Sequence, residues 1–282
     1  MSNEYNNVMV IDIDVSKYEG RKIDKSAGKQ LDNEKQVRGK GYRATKPACD
    51  AEEMTGYLQP YKDFKKWLND LTNCLPLGDN RYMFPVDKYQ EAVLQADDFK
   101  TRFTRGYENF CQNFDEIVEK QKYRLNDAFD PNDYPKNIWK SFGVRIHFGT
   151  MPDSEAIRKI VGLPQDDVDR LVKANEEAVT GMFETAMKAP YRRAIEVVGH
   201  MAETLADGSA RFKNSLVDNI KELADLLPKM NITKSKELDD LADRLSQELC
   251  SVAPDALRYD LNKRKEVTEK AEKILADLEG YF

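Results

Sequence analysis

The first residues whose type and spacing could support chemistry are two aspartates at the end of an apolar run. Residues 8–15 read VMVIDIDV, so Asp12 and Asp14 share one face of a predicted strand. Such a pair can hold magnesium and accept a phosphoryl group when a parallel sheet presents it. The chain lacks the alternation of strands and helices that builds a parallel sheet. We therefore interpret the pair as a solvated strand face and keep a metal-dependent phosphohydrolase only as a third hypothesis.

Thiol and imidazole groups are dispersed along the chain. No CxxC pair occurs, and the only imidazole groups are those of two histidines. The residues concerned are Cys49, Cys74, Cys111, Cys250, His147 and His200. Structural zinc sites need closely spaced ligand pairs, and scattered thiols are typical of a reducing cytoplasm. We expect no catalytic cluster, no metal and no cofactor.

A glycine-containing segment from Lys17 to Lys46 concentrates positive charge. It holds ten basic and four acidic residues, a formal charge of +6, whereas the whole chain carries −6. Apolar residues are sparse there, so we predict a basic extended arm or loop over residues 17–50. The residues expected to make a contact are Lys35, Arg38, Lys40, Tyr42, Arg43 and Lys46.

Three roles remain open for this arm. Its lysines and arginines can neutralise phosphates while Tyr42 stacks on a base of single-stranded DNA or RNA. The arm can instead dock on an acidic surface of a neighbouring subunit, or it can be a solvated loop. The negative charge of the whole chain argues against a protein that coats nucleic acid with its entire surface, but not against a local contact.

Helical periodicity dominates the rest of the chain. Apolar residues recur at helical spacing over 85–129, which predicts one helix of roughly 40 residues, or about 60 Å. Because one small core cannot cover a helix of that length, we expect it to support a homo-oligomer. Helix breaks are predicted near Leu163-Pro164 and Asp207-Gly208, and a last helix near 263–278 has one apolar face.

A second strand is predicted at Val144–Phe148, where apolar and polar residues alternate, and we expect it to pair with the first strand. The predicted fold class is mainly α: an elongated helical bundle with one very long helix and a small β element. We divide the chain into an N-terminal strand over 1–16, the basic arm over 17–50 and a helical domain over 51–282. Neither a signal peptide nor a run of about 20 apolar residues occurs, so we expect no membrane contact and a cytoplasmic location.

Several short segments carry a resemblance to a known family. They are Tyr18-Glu19-Gly20-Arg21-Lys22, Phe84-Pro85-Val86, Phe129-Asp130-Pro131-Asn132-Asp133-Tyr134-Pro135, Val144-Arg145-Ile146-His147-Phe148 and Met151-Pro152. Together with the apolar start and the helical stretch over 85–129, they resemble the DUF3150 family, proteins of unknown function from bacteria, phages and mobile elements. The resemblance covers most of the chain and implies no catalytic residue. It does imply neighbouring genes for MoxR-type AAA+ ATPases and von Willebrand A-domain proteins.

We rank two functional hypotheses above that of a phosphohydrolase. The leading one is a non-enzymatic phage or mobile-element protein in the cytoplasm of a bacterial host. It would self-assemble and act with a partner machine such as a MoxR-type AAA+ ATPase or a von Willebrand A-domain protein. The alternative is a nucleic-acid-binding protein that uses the basic arm on single-stranded DNA or RNA.

Overall fold

The fold is mainly α, as the periodicity predicts. A computed structural model describes residues 7–38, 41–207, 211–232 and 234–280, in which ten α-helices and six strands form. The strands are β1 Val8–Ser16, β2 Arg21–Asp24, β3 Ala44–Pro47, β4 Leu75–Gly78, β5 Arg81–Pro85 and β6 Gly143–Thr150. The helices are α1 Lys25–Glu34, α2 Thr55–Leu68, α3 Tyr89–Gln112, α4 Phe114–Leu125, α5 Ser154–Arg158, α6 Gln165–Ala206, α7 Ser215–Met230, α8 Lys236–Arg244, α9 Pro254–Tyr259 and α10 Leu261–Glu279. Within the described ranges, none of the helices combines the length and apolar character that crossing a membrane requires.

A four-stranded antiparallel sheet has the strand order β4-β5-β1-β6. β1 pairs with β5 so that Asp12 lies opposite Arg81. The predicted pairing of the first strand with the strand near 144–148 is confirmed, because β1 and β6 are hydrogen-bonded neighbours. Side chains two residues apart share a face of a strand, so Asp12 and Asp14 project together, away from the buried Ile11 and Ile13.

The chain folds as two compact units. The first comprises Met1–Asp12, Leu68–Tyr89 and Phe148–Phe282, and the second comprises Ile13–Trp67 and Gln90–His147. This division differs from the predicted one, in which a single helical domain follows the basic arm. Helical periodicity shows which residues of a helix are apolar, but it does not show which helices share a core.

The core of the first unit is built by α6, α7, α8 and α10. The long helix is α6, with 42 residues between the two predicted breaks. Helix α10 packs along α6 and buries Val267, Ala271 and Ile274 completely. The apolar face predicted for the last helix is therefore confirmed as a core surface.

A buried arginine stabilises the C-terminal end of α6. Arg264 on α10 is only 5% exposed, and its guanidinium donates to the carbonyls of Leu205, over 2.8 Å, and Thr204, over 3.0 Å. The same guanidinium lies 5.6 Å from the ring centre of Phe212. The last carbonyls of a helix have no partner inside the helix, so Arg264 supplies the missing donors.

The second unit is built around aromatic side chains of α2 and α3. Tyr57 is fully buried, and its ring centre lies 5.3 Å from that of Phe110 and 4.9 Å from that of Phe142. Its hydroxyl donates to the backbone carbonyl of Tyr18 over 2.9 Å. Phe103 is buried against the same tyrosine. The aromatic residues of the 85–129 stretch thus form the core of this unit.

Helices α2 and α3 approach each other most closely at two glycines. A Cβ added at Gly106 would overlap the backbone of Gly56 and Tyr57, whereas a Cβ added at Gly56 would lie 3.4 Å from the Cα of Gly106. The two glycines are therefore not equivalent. Only position 106 needs the absence of a side chain for the helices to meet at this distance.

The prediction of one continuous helix over 85–129 is wrong. The structure contains two helices, α3 and α4, with Asn113 between them. The amide nitrogen Nδ2 of Asn113 donates to the backbone carbonyl of Asn109 over 2.8 Å. A short amide side chain competes for backbone groups in this way, which favours a helix end over a helix interior. The very long helix of this protein is α6 instead.

The prediction of an extended arm or loop over 17–50 is also wrong, because β2, α1 and β3 lie in this segment. Asp24 begins α1, since its carboxylate accepts from the backbone N–H of Ala27 over 2.9 Å and from the hydroxyl of Ser26 over 2.6 Å. Gly28 is the only residue that α1 buries. The helix therefore contributes no large apolar side chain to a core, and such side chains are the main signal of a helix in a sequence.

Candidate functional site

The two aspartates of β1 form cross-strand ion pairs. A carboxylate oxygen of Asp12 lies 2.6 Å from Nε of Arg81, and one of Asp14 lies 2.6 Å from Nη2 of Arg145. Each aspartate is therefore held by an arginine of an adjacent strand. Within the described residues, no group of three or more histidine, cysteine or carboxylate side chains is arranged to hold a metal. The arrangement suits stabilisation of the sheet better than phosphoryl transfer.

The cysteines are structural in character. Cys49, Cys74 and Cys111 are buried, and Cys250 is half-buried. Burial raises the pKa of the Cys49 thiol to about 12, and that of Cys250 to about 11. Since the thiolate is the nucleophile, the raised pKa values of Cys49 and Cys250 disfavour a nucleophilic role at neutral pH. His147 lies exposed on β6, and it is far in sequence from each of the four cysteines.

We define the basic module as β2, α1, β3 and the described residues of the loop between α1 and β3. Strands β2 and β3 are antiparallel, with Ile23 opposite Thr45. Helix α1 lies against β3, and a Cβ added at Gly28 would lie 2.9 Å from the carbonyl oxygen of Tyr42. This close approach gives α1 a defined position although it contributes no large apolar side chain to a core.

The backbone of Tyr42 is held in place by a hydrogen bond, whereas its side chain is exposed to solvent. Its backbone N–H donates to a carboxylate oxygen of Asp32 on α1 over 2.6 Å. The residue before it is Gly41, where a Cβ would overlap the same carboxylate. The side chain of Tyr42 is 54% exposed. Helix α1 therefore fixes the backbone at this point while the ring faces solvent.

Most cations of the basic module are unpaired. Its carboxylates are used locally, because Asp24 caps α1, Asp32 accepts from Tyr42 and Glu34 accepts from Gln30. Seven cations form no ion pair with any described residue: Arg21, Lys22, Lys25, Lys29, Lys35, Arg38 and Arg43. All of them are exposed except Lys22, which is half-buried. The module thus presents a surface of uncompensated positive charge.

Lys46, which we predicted as a contact residue, has a structural role instead. Its ammonium lies 2.7 Å from the carboxylate of Asp133 and donates to the carbonyl of Ala128 over 2.5 Å. The side chain is only 15% exposed. Sequence reasoning counted the charge of Lys46 but had no means of locating a partner so far along the chain.

Further polar contacts join the end of the module to α4. Asp50 forms an ion pair with Arg124 and accepts from the side chain of Gln121 over 3.2 Å. Glu53 lies 3.2 Å from the ammonium of Lys120. These contacts of the residues that follow β3, with that of Lys46, fix the module to the rest of the second unit and leave its cations at the surface.

Four of the six predicted contact residues are exposed and lie in one short segment between the end of α1 and the start of β3. Lys35 follows α1 directly, while Arg38, Tyr42 and Arg43 lie in the loop before β3. Lys40 lies outside the described residues. Sequence reasoning missed the roles of Asp32 and Gly41, although an aspartate in the last turns of a helix and a nearby glycine are signals of a local turn contact.

The segments on which the family resemblance rests have defined places in the structure. Tyr18 to Gly20 connect β1 to β2, Arg21 and Lys22 begin β2, and Val144 to Phe148 lie in β6. In comparisons with family models, curated proteins and solved structures, the chain matches none of them.

Proposed function

We propose that this chain is a non-enzymatic protein that binds nucleic acid through its basic module. One observation carries the proposal, namely the set of exposed cations in the basic module that pair with no described carboxylate, in the same module as the exposed ring of Tyr42. Cations without a carboxylate partner are available to phosphates, and their binding releases the counterions condensed on a nucleic acid. The ion pairs of Asp12 and Asp14, and the buried thiols, support a protein without a nucleophile or a metal centre.

The position of the charge supports a local contact. The chain carries −6 overall, so acidic surface elsewhere would repel a polyanion and confine it to the module. The anchoring of the module through Lys46 also favours binding, because cations in fixed positions lose less conformational entropy when they meet phosphates.

The test compares two triple variants with equal loss of charge. Lys35, Arg38 and Arg43 are changed to Gln in the first variant, and Lys62, Arg105 and Lys140, which are also exposed, are changed to Gln in the control. Fluorescence anisotropy with a labelled oligothymidylate measures the affinity at several salt concentrations. We expect the log–log salt slope of the first variant to be less steep by about 2, at roughly 0.7 per lost contact, and that of the control to be unchanged. Equal slopes in both variants, or no binding by the wild type at low salt, would overturn the proposal.

A second candidate function is that of a self-assembling phage or mobile-element component in the bacterial cytoplasm, acting with a partner machine. The resemblance to the DUF3150 family implies a MoxR-type AAA+ ATPase or a von Willebrand A-domain protein as that partner. A specific observation favours a protein contact, because the turn between α5 and α6 exposes Ile160, Val161 and Leu163 by 47%, 96% and 42%. The aromatic residues of α3, by contrast, support it less than the sequence suggested, since they form an intramolecular core.

Light scattering tests this second candidate. An assembling protein would give a mass above 32.4 kDa at micromolar concentration, and changing Ile160 and Val161 to Ser would return it to the monomer. Leu94, which is 70% exposed on α3, provides the control substitution Leu94→Ser. A monomer at all concentrations would exclude self-assembly, and an unchanged oligomer in the double variant would exclude this turn as the contact.

A further inference from the structure

We infer that the basic module recognises single-stranded nucleic acid, and that Tyr42 is a preorganised platform on which an unpaired base stacks. This inference rests on the proposed function, and it adds the class of ligand and the residues that position the platform. The structural basis is the combination of an exposed ring with a fixed backbone.

Two contacts from α1 hold the backbone at Tyr42. The carboxylate of Asp32 accepts its N–H over 2.6 Å, and Gly28 lies so close that an added Cβ would come within 2.9 Å of its carbonyl oxygen. Gly41 leaves room for the carboxylate. The N–H of this residue is therefore fixed by a hydrogen bond to α1, its carbonyl lies close to the same helix, and the ring direction is limited to the few side-chain rotamers of tyrosine.

The ring itself has no packing function in the described structure. Buried aromatic residues of the second unit, such as Tyr57 and Phe110, lie within 5.3 Å of each other's ring centres. Among the described residues, neither an aromatic ring nor a cation stacks on the ring of Tyr42, which is 54% exposed. A tyrosine that is positioned but does not pack presents a free π-face to a ligand.

The surroundings of the ring fit a nucleotide with an unpaired base. Arg43 follows Tyr42 directly in the chain, and Lys29 follows Gly28, which lies close to the carbonyl oxygen of Tyr42. The module also exposes the apolar side chains of Ile23 and Leu31, by 45% and 38%, which suit contact with a base or a sugar. Aromatic faces with nearby cations are the usual recognition elements for single strands, because every base has a π-face and a phosphate.

A duplex fits this surface less well. The faces of its bases are already stacked on each other, so the ring of Tyr42 gains nothing unless a base leaves the helix, which costs a few kcal/mol. Reading a duplex groove also requires a helix or strand with polar side chains that reach base edges. Helix α1 carries Asp32 and Glu34 near its C-terminal end, and their charge disfavours insertion between two phosphate backbones.

The experiment measures the ratio of single-strand to duplex affinity in matched variants. Probes are a labelled oligodeoxynucleotide of about 16 nucleotides and the same strand annealed to its complement. Tyr42→Ala removes the ring, Tyr42→Phe keeps it, and Gly41→Ala disturbs its position without a change in charge. Tyr123→Ala is the control, since Tyr123 is 86% exposed on α4, outside the module. Thermal unfolding followed by circular dichroism verifies that each variant is folded.

We expect Tyr42→Ala to weaken single-strand binding by about 5- to 150-fold, the range that loss of one stacked base produces, and to lower the affinity ratio. Tyr42→Phe should restore the ratio, Gly41→Ala should lower it, and Tyr123→Ala should leave it unchanged. The inference is overturned if Tyr42→Ala weakens single-strand and duplex binding equally or affects neither. If the wild type binds neither probe, the proposed function itself is wrong. If binding is strong and depends on Arg43 but not on Tyr42, the proposed function stands and only this inference is wrong.

Discussion

The ammonium of Lys46 lies 2.7 Å from the carboxylate of Asp133, and both side chains are largely shielded from solvent, at 15% and 22% exposure. The pair joins β3 to the turn that follows α4. Lys46→Met should destabilise the protein by about 1–3 kcal/mol, less than a fully buried pair, because the orphaned carboxylate keeps some hydration. Urea unfolding measures the loss. Lys35→Met, at an exposed position, should change stability by less than about 0.5 kcal/mol, and equal effects of the two changes would contradict the assignment.

Gly56 on α2 and Gly106 on α3 should differ in how much stability is lost when each is replaced by alanine. Gly106→Ala should destabilise the second unit by about 1–3 kcal/mol, because the added methyl group meets the backbone of Gly56 and forces the helices apart. Gly56→Ala should be close to neutral, or stabilising by up to about 1 kcal/mol, because alanine is the better helix former. Chemical denaturation of both variants gives the comparison. Equal destabilisation would show that the helices do not cross as described.

The buried hydroxyl groups of two tyrosines and the buried thiol of Cys49 should make the second unit less stable at alkaline pH. Burial is the main cause that raises the pKa of Cys49 from 9.0 to about 12, and it also raises the pKa values of Tyr18 and Tyr57. A group whose pKa is raised on folding binds its proton more tightly in the native state. Its stabilisation is thus complete below the unfolded pKa, here about 9, and is lost as the pH rises through the folded value.

We therefore expect the free energy of unfolding to fall above about pH 9, by up to roughly 1.4 kcal/mol per pH unit for each such group. Urea titrations across this pH range, with Cys49→Ala for comparison, measure the dependence. The variant should show a shallower decline. A stability that stays flat to about pH 11 would mean that these groups are hydrated.

The stability of the C-terminal end of α6 should depend on the planar guanidinium group of Arg264. Its guanidinium serves the carbonyls of both Thr204 and Leu205 and lies against Phe212. Arg264→Leu should cost about 2–4 kcal/mol, because buried carbonyls lose their donors. Arg264→Lys should recover only part of this loss, since an ammonium cannot reproduce the planar set of donors. Amide hydrogen exchange in the last turn of α6 locates the effect, and full recovery by lysine would show that charge alone matters.

The elements that sequence reasoning found were those with a strong local signal. The alternation in β1 and β6, the apolar face of α10 and the breaks around α6 each follow from the types of neighbouring residues. A period of two or of 3.6 residues reports which side chains are buried together, whatever their tertiary partners. That is why the mainly α fold with a small antiparallel sheet was predictable.

What was missed depends on contacts between distant residues. The stretch over 85–129 was expected to support a homo-oligomer, and the packing of its aromatic residues against Tyr57 on α2 and Phe142 before β6 could not be read from the sequence. At the candidate site, the cations were visible in the sequence, whereas the anchoring of Lys46 by Asp133 was not. The position of Tyr42 against α1 was missed for another reason, because the only residue that α1 buries is Gly28, which has no side chain to mark a core-facing surface.

The central place of β1 has a consequence for synthesis on the ribosome. This strand emerges early, but the arginine that pairs with Asp12 follows 69 residues later, and the one that pairs with Asp14 follows 131 residues later. At roughly 5–20 residues per second, translation leaves one edge of β1 without its strand neighbour for about 7 to 26 s. We therefore expect this edge to need shielding from other strands until β6 has left the exit tunnel.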